Sequence, residues 1–510
     1  MKSTIVISSL LSISALFSST LLHSEPTPPP QYDILIKNGR VVDGTGRAGF
    51  VADVAIKGDR IARIGKLGNA RARRVIDAKG LVVAPGFIDL LGQSETNLLI
   101  DPRAMSKVMM GVTTEITGEG NSAAPTNPPT TDELIQMRRL VAEAMEDGAL
   151  GLSTSLQYVP ARFAKTNEIV ELAMVAERYG GIYATHQRSE ANALDSSLAE
   201  VFEIGRRAHI PVEIWHLKTA YKKNWGRMPE ILKRIEAARA SGLKINANVY
   251  PYTAASTALT ACLPPWALEG GNERMLERLR DSKTRERLKR EIMTDSKDWE
   301  NIFLGSGGGS GVLISSVVYP ELENLQGKRI SEIAADEKKD DLDALFDLIL
   351  ADKGETSAIY FMMSEDDLRA ALRSPFVAIC TDSGARAIDG PLSTAKGHPR
   401  GWGSYPRILS RYVRDEHLLT IEEAVHKMTG LSAERVGLKD RGTLRQGAYA
   451  DITIFDPQTV RDRSTFENPN QYPECIPYVI INGQISVDGG QRTKALSGRV
   501  LRGPGYKKQG

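Results

Sequence analysis

With 510 residues, 41% hydrophobic and 25% charged, the chain is longer than one compact core and too apolar to be disordered or fibrous. Its 65 Lys+Arg balance 63 Asp+Glu, so no global field recruits nucleic acid or an anionic membrane. The three cysteines, Cys262, Cys380 and Cys475, are too dispersed for a disulfide scaffold, a zinc ribbon or an iron–sulfur cluster of the usual spacing.

At the amino terminus Lys2 precedes an uncharged run, Ser3 to Leu22, rich in Ile, Leu, Ser and Phe. Glu25-Pro26-Thr27-Pro28-Pro29-Pro30 follows, which is extended and cannot continue a helix. The pattern predicts a secretory signal over residues 1–24 and a Pro-rich linker over residues 25–31, hence an exported protein, periplasmic or secreted. No later stretch reaches the roughly 18 apolar residues of a membrane span, so no membrane contact is expected after signal cleavage.

Short strands with tight turns come next. Asn38-Gly39 between Asp33–Lys37 and Arg40–Asp43, and Gly58-Asp59 between Asp53–Ile56 and Arg60–Ile64, both predict hairpins. The carboxyl end repeats the theme, with Ala450 to Phe455 alternating and Tyr478–Ile481 facing Gln484–Val487 across Asn482-Gly483. A small β domain assembled from both chain ends is therefore expected.

Between the two ends, apolar runs alternate with amphipathic helical segments. The candidate strands are Leu81–Leu90, Thr113–Ile116, Ala149–Leu152, Gly181–Thr185, Pro211–Trp215, Ile245–Val249, Ala358–Phe361 and Val377–Thr381. Leu134, Met137, Val141 and Ala144 mark one intervening helix, and Pro229 to Gly242 brackets another. Eight such strands predict an α/β chain with a (β/α)8 TIM-like barrel, its function at the carboxyl ends of the strands. The stretch of about 253–312 breaks the rhythm and reads as a lid insert. Its glycine run from Gly305 to Gly311 lacks the ending of a phosphate loop and is expected to be a flexible loop.

Three residues stand where an apolar strand ends: His186, His216 and Asp382. A barrel points them at one mouth, where two imidazoles and a carboxylate form the core of a metal-dependent hydrolase site. His398 lies beyond the last strand and is expected to line that mouth. Rival chemistries lack their markers. There is no Gly-x-Ser-x-Gly elbow and no HExxH, and the one GxGxxG, Gly44 to Gly49, leads into a strand rather than a helix.

The sequence resembles the amidohydrolase superfamily, and within it the N-acyl-D-amino-acid deacylases (D-aminoacylases). The motifs that carry the resemblance span the whole mature chain. They include Ala84-Pro85-Gly86-Phe87-Ile88-Asp89, Gly111-Val112-Thr113-Thr114, Gly151-Leu152-Ser153-Thr154 and Tyr183-Ala184-Thr185-His186. Further along come His216-Leu217-Lys218, Tyr250-Pro251-Tyr252-Thr253, His398-Pro399-Arg400 and Lys427-Met428-Thr429-Gly430. The resemblance implies a β-sandwich (residues 32–83 and 431–510) joined to a metal-bearing barrel (residues 84–430). It also implies Zn2+ on His186 and His216, with Asp382 as proton shuttle. Lys218 and Arg400 would hold a substrate carboxylate, and Tyr158, Tyr250 and Ser256 would lie beside the bound small-molecule substrate.

Two departures from the family's pattern stand out. Where the family ends its first strand in His-x-His, this chain has Leu91 and Gln93, which argues against a binuclear site and for one ion. Where the family has a metal-binding cysteine, this chain reads Gly118-Glu119-Gly120-Asn121. Counting forward from Gly111 selects Gly120, while counting back from Ser122-Ala123-Ala124-Pro125 selects Glu119. One deleted residue reconciles the counts in favour of Glu119 as third ligand, a harder donor that keeps other divalent metals open. The implied function is metal-dependent hydrolysis of N-acyl-D-amino acids. The alternatives are an amidohydrolase of peptides or cyclic amides, or a binding protein that has lost turnover. Acyl and side-chain preference and oligomeric state are not legible in the sequence.

Overall fold

The computed structural model describes residues 30–119 and 127–507, so the expected signal and the Ser122-Ala123-Ala124-Pro125 anchor lie outside the described residues. Nine strands from both ends of the chain form one sheet. Its order is Gln491–Arg492, Gln484–Asp488, Tyr478–Ile481, Ile452–Phe455, Val82–Pro85, Tyr32–Val41, Phe50–Lys57 and Arg60–Gly65. Ala72–Asp77 pairs the other part of the edge of Tyr32–Val41 that Val82–Pro85 uses. Val82–Pro85 is the junction of the two ends, parallel to Tyr32–Val41 and antiparallel to Ile452–Phe455. Ile36, Val54, Ile76, Val83, Ile454 and Ile480 fill one apolar core beneath it.

The turns at Gly58-Asp59 and Asn482-Gly483 close antiparallel hairpins, as expected. Asn38-Gly39 does not. Tyr32–Val41 runs straight through it, with Asn38 at φ 61° and a register shift between Ile36 and Gly39. The Asn38 N–H donates to Asp53 Oδ1 at 3.0 Å and its Nδ2 to Asp77 Oδ1 at 2.9 Å. Partners on both sides thus absorb the left-handed residue as a bulge rather than a turn.

Among the described residues seven parallel strands, joined by helices, belong to the barrel: Phe87–Asp89 and Val112–Glu115 as a pair, then Gly151–Ser155, Ile182–His186, Val212–Ile214, Ile245–Val249 and Val377–Ile379 as one ladder. The last strand meets the first where the Asp382 N–H donates to Leu91 O at 2.9 Å. The expected strand Leu81–Leu90 is two strands, one per sheet, divided at Gly86. A Cβ there would lie 2.1 Å from Thr113 Oγ1, so only glycine lets the chain cross between sheets at this point. The helices Thr131–Asp147, capped by the Thr130 side chain, and Met228–Ala240, with Pro229 in its first turn, form where the periodicity placed them.

The expected seventh barrel strand is a strand, Ser357–Tyr360, but it belongs elsewhere. It pairs antiparallel with Ala255–Ala258 and Val312–Ser316 in a separate sheet, while Ile245–Val249 pairs directly with Val377–Ile379. Burial on both faces makes such a run indistinguishable by composition from a barrel strand. The insert consequently runs past residue 312 to this strand and has its own core, including Leu279, Phe303, Ile314, Ile333, Phe346 and Tyr360. Its glycine run is packed rather than loose: Gly309 and Gly311 are buried, and the Gly309 N–H donates to Asp341 Oδ2 at 3.1 Å. Among the described residues no helix is long and apolar enough to cross a membrane.

Candidate active site

Four side chains converge at the carboxyl ends of four barrel strands. His186 ends the strand Ile182–His186, His216 lies two residues past Ile214, Asp382 three past Ile379 and Glu119 four past Glu115. His186, His216 and Asp382 are buried, as is the Glu119 side chain. His216 and Asp382 hold φ of 36° and 51°, the left-handed region, which costs a non-glycine residue on the order of 1–3 kcal/mol. Each is pinned by a buried hydrogen bond. The His216 N–H donates to Asn248 Oδ1 at 2.9 Å, and the Asp382 N–H to Leu91 O at 2.9 Å.

Glu119 Oε1 lies 3.0 Å from His186 Nδ1 and 2.9 Å from His216 Nε2. The opposite ring nitrogens have acceptors of their own: His186 Nε2 donates to Gln157 Oε1 at 2.7 Å, and His216 Nδ1 to Glu190 Oε1 at 2.9 Å. With those protons outward, each neutral imidazole offers an inward lone pair, the state a cation selects. Without one, burial and Lys218 are overcome by Asp382, Glu190 and Glu119, which raise His216 to about 9, so its ring also carries an inward proton. Three such electron-pair donors within 4.8 Å of one another need protons or a cation between them. Two imidazoles and a carboxylate, with a second carboxylate behind one imidazole, fit a divalent metal.

The supporting shell is charged and buried. Glu190 Oε1 also accepts from Lys218 Nζ at 2.6 Å. Burial alone would raise Glu190, but Lys218 and the two imidazoles hold its carboxyl well below the usual range. Glu119 behaves alike: burial opposes its charge, and His216 and His186 overcome it. Breaking such a buried pair costs about 3–5 kcal/mol, so Glu190 is a fixed part of the frame.

On the facing side, Gln93 Nε2 donates to Glu119 Oε2 at 2.7 Å and to Asp382 Oδ1 at 2.9 Å. Arg400 Nη1 pairs with Asp382 Oδ2 at 2.6 Å. Burial pushes the Asp382 carboxyl up to about 7, with Arg400 pulling against it and Glu119 adding to the rise. The Arg400 guanidinium stacks 4.5 Å over the Tyr250 ring, its Nη2 reaches Ser256 O at a long 3.4 Å, and its Nε has no partner among the described residues. The Tyr158 ring lies 5.0 Å from that of His186, and burial pushes both the Tyr158 and Tyr250 phenols up, so each stays a protonated donor.

Every residue named from the sequence therefore borders one cavity of about 720 Å³ between the barrel mouth and the insert. Two of them enter it differently from expectation. Lys218 is committed to Glu190 rather than free for substrate, and Ser256 meets Arg400 through its backbone oxygen. Glu95 is outside the donor set, accepting from the Gly118 N–H at 2.6 Å. His398 lines the mouth and donates from Nε2 to Ala254 O at 3.0 Å.

Comparison with known proteins agrees with this architecture. The amidohydrolase family model matches residues 381–487. The D-aminoacylase of Alcaligenes xylosoxydans xylosoxydans is 34% identical, over 92% of this chain and 97% of its own length. The chain belongs to the D-aminoacylase family of amidohydrolases. A solved structure of a D-aminoacylase superposes with TM-score 0.76 at 32% identity, covering 92% of this chain and 100% of that one. The N-acyl-D-glutamate deacylase of Bordetella bronchiseptica, solved with zinc and a phosphonate inhibitor, superposes with TM-score 0.75 at 28% identity, over 92% and 100%. As a family member the chain is a metal-dependent amide hydrolase, a barrel joined to a β domain.

Sequence reasoning missed Glu190, Gln157 and Asn248. Glu190 had a signal, a carboxylate four residues after His186 in His186-Gln187-Arg188-Ser189-Glu190. Asn248 links the site to a buried acid, accepting from His216 and donating from Nδ2 to Glu213 Oε1 at 2.9 Å. Glu213 is 4% exposed and its Oε2 has no partner among the described residues. Burial pushes its carboxyl up to about 7, which Arg435 only partly opposes. The folded state thus binds this proton more tightly than the unfolded chain does. The associated stability is complete below pH of about 4.5 and is lost as pH rises through about 7. Glu213→Gln keeps the acceptor and removes the charge, so urea denaturation should find it more stable than the parent at pH 9 by roughly 2–3 kcal/mol and level with it near pH 4.5. Parallel stability profiles for the two proteins would show that Glu213 ionises without cost.

Proposed function

We propose that the chain hydrolyses the amide bond of N-acyl-D-amino acids with one zinc ion, which Glu119, His186 and His216 would hold. A divalent metal bound there supplies a Lewis acid for the amide carbonyl and acidifies a water molecule. Asp382 takes the proton of the attacking water and returns it to the departing amine, a general base turned general acid. Arg400 holds Asp382 through Nη1 and has its Nε, without a partner among the described residues, for the planar carboxylate of the amino acid. Tyr158 and Tyr250, held protonated, are donors for the oxygen that gains charge. A cavity of about 720 Å³ suits a small-molecule substrate.

The observation that carries this reading is the junction at Gln93, whose amide nitrogen ties Glu119 of the donor set to Asp382. It supports a base beside the donor set. It also supports a single ion, since an amide N–H donor bridges the two carboxylates and Leu91, packed with Trp215 and Cys380, has no donor atom. The names of the relatives support the substrate class, and the zinc in the N-acyl-D-glutamate deacylase supports the metal. The uncharged run after Lys2 and the prolines behind it support export.

Amine release from N-acetyl-D- and N-acetyl-L-amino acids, with and without added zinc, tests the proposal. Zinc-dependent release from the D forms is expected, with about one ion per chain by elemental analysis. Release from L forms alone, or release untouched by chelator, would overturn it.

A further inference from the structure

The cavity holds a second guanidinium that the reaction above leaves unused. Arg386 lies four residues past Asp382, on the loop leaving the last barrel strand, and borders the same cavity as Arg400. Its Nε is shut off from solvent and, among the described residues, without a partner. Burial and the neighbouring Arg400 both press its pKa down, with no carboxylate countering them. Arg400, by contrast, has Asp382 against it.

The guanidinium has a built seat. Gly397 approaches it so closely that a Cβ there would lie 2.9 Å from Arg386 Cζ, and Gly397 holds φ of 66°. Bare backbone therefore backs the cation just before His398-Pro399-Arg400. The Gly397 N–H donates to Ser315 O at 3.2 Å, which brings the insert strand Val312–Ser316 to the same spot. Ser315 Oγ is buried, borders the cavity and has no partner among the described residues. A fork of N–H donors and a hydroxyl, with Nε and Ser315 Oγ unengaged among the described residues, match the two oxygens of a carboxylate. A neutral group there would leave a half-buried cation without counter-charge.

We propose that Arg386 and Ser315 bind a second carboxylate on the substrate, which makes the chain selective for N-acyl-D-amino acids that carry two acidic groups. The proposal rests on the deacylase reading above. The second carboxylate comes from the side chain of the amino acid or from the far end of the acyl group.

Two pairs of compounds separate these sources on the zinc-loaded protein: N-acetyl-D-glutamate against N-acetyl-D-glutamine, and N-succinyl-D-leucine against N-acetyl-D-leucine. In one pair kcat/KM should favour the charged member by roughly 10²-fold, as expected for a buried, hydrogen-bonded charge pair. Preference in the first pair assigns the side chain, and preference in the second assigns the acyl group. Arg386→Met should bring that ratio close to unity, and the milder Ser315→Ala should lower it in part. Equal rates within both pairs, or a preference that survives Arg386→Met, overturn the proposal. Hydrolysis of none of the four compounds would count against the deacylase reading instead. Calorimetric titration of the same pairs then decides the carboxylate site, which stands if the charged member binds more tightly only with Arg386 in place and falls if binding is equal.

Discussion

Asp382→Asn should lower kcat by roughly 10²- to 10⁴-fold, the span general acid–base catalysis supplies, while metal content stays near that of the parent. Asp382 stands outside the three-atom donor set and touches it only through Gln93, so its charge is not needed to hold the ion. Both of its oxygens accept from fixed donors, Gln93 Nε2 on one side and Arg400 Nη1 on the other. That arrangement fixes where the proton is taken up. An asparagine offers an N–H₂ to one of those donors and accepts no proton, so the loss should fall on kcat more than on KM. Elemental analysis beside steady-state kinetics makes the comparison. A variant that loses its zinc would make Asp382 a ligand, and one that keeps its rate would remove it from the reaction.

Glu119 gives the opposite pattern, in which metal and rate go together. Glu119→Ala removes the oxygen lying between the two imidazoles and leaves a two-donor site. The variant should dialyse free of zinc, and kcat/KM should fall by about 10³-fold or more, because the ion supplies several kcal/mol of charge stabilisation. Glu119→Cys provides the informative contrast. It places a thiolate where the family's motif has one, so about one zinc per chain should be retained, bound more tightly than by the carboxylate. Full zinc and full rate in Glu119→Ala would mean that other groups hold the ion.

Strand ends were the legible part of this site. His186, His216 and Asp382 each close an apolar run, and the period of a parallel sheet places them at one mouth without further information. Glu119 was reachable only by reconciling two counts along a loop. What periodicity could not give is the set of side chains that orient these groups. Gln157 and Glu190 sit on loops whose course depends on tertiary packing, and Gln93, which stands where the family has a histidine, turns its nitrogen toward two carboxylates. One barrel strand was assigned to the wrong segment for a related reason: Ser357–Tyr360 is as apolar as a barrel strand because the insert buries it equally well. Asn38-Gly39 failed as a hairpin because Asp53 and Asp77, distant in sequence, outbid the local turn preference.

The junction at Val82–Pro85 sets an order on biosynthesis. This strand has Tyr32–Val41 on one edge, made shortly before it, and Ile452–Phe455 on the other, made almost last. Through most of translation that second edge has no partner, and its exposed N–H and C=O groups are a template for any neighbouring strand. The barrel is therefore synthesised between two halves of a clasp that closes only when the carboxyl-terminal strands emerge. A nascent or truncated chain that ends before Ile452 should be the form that chaperones retain and that aggregates. Completion of the sheet, rather than of the catalytic barrel, becomes the committing event in folding.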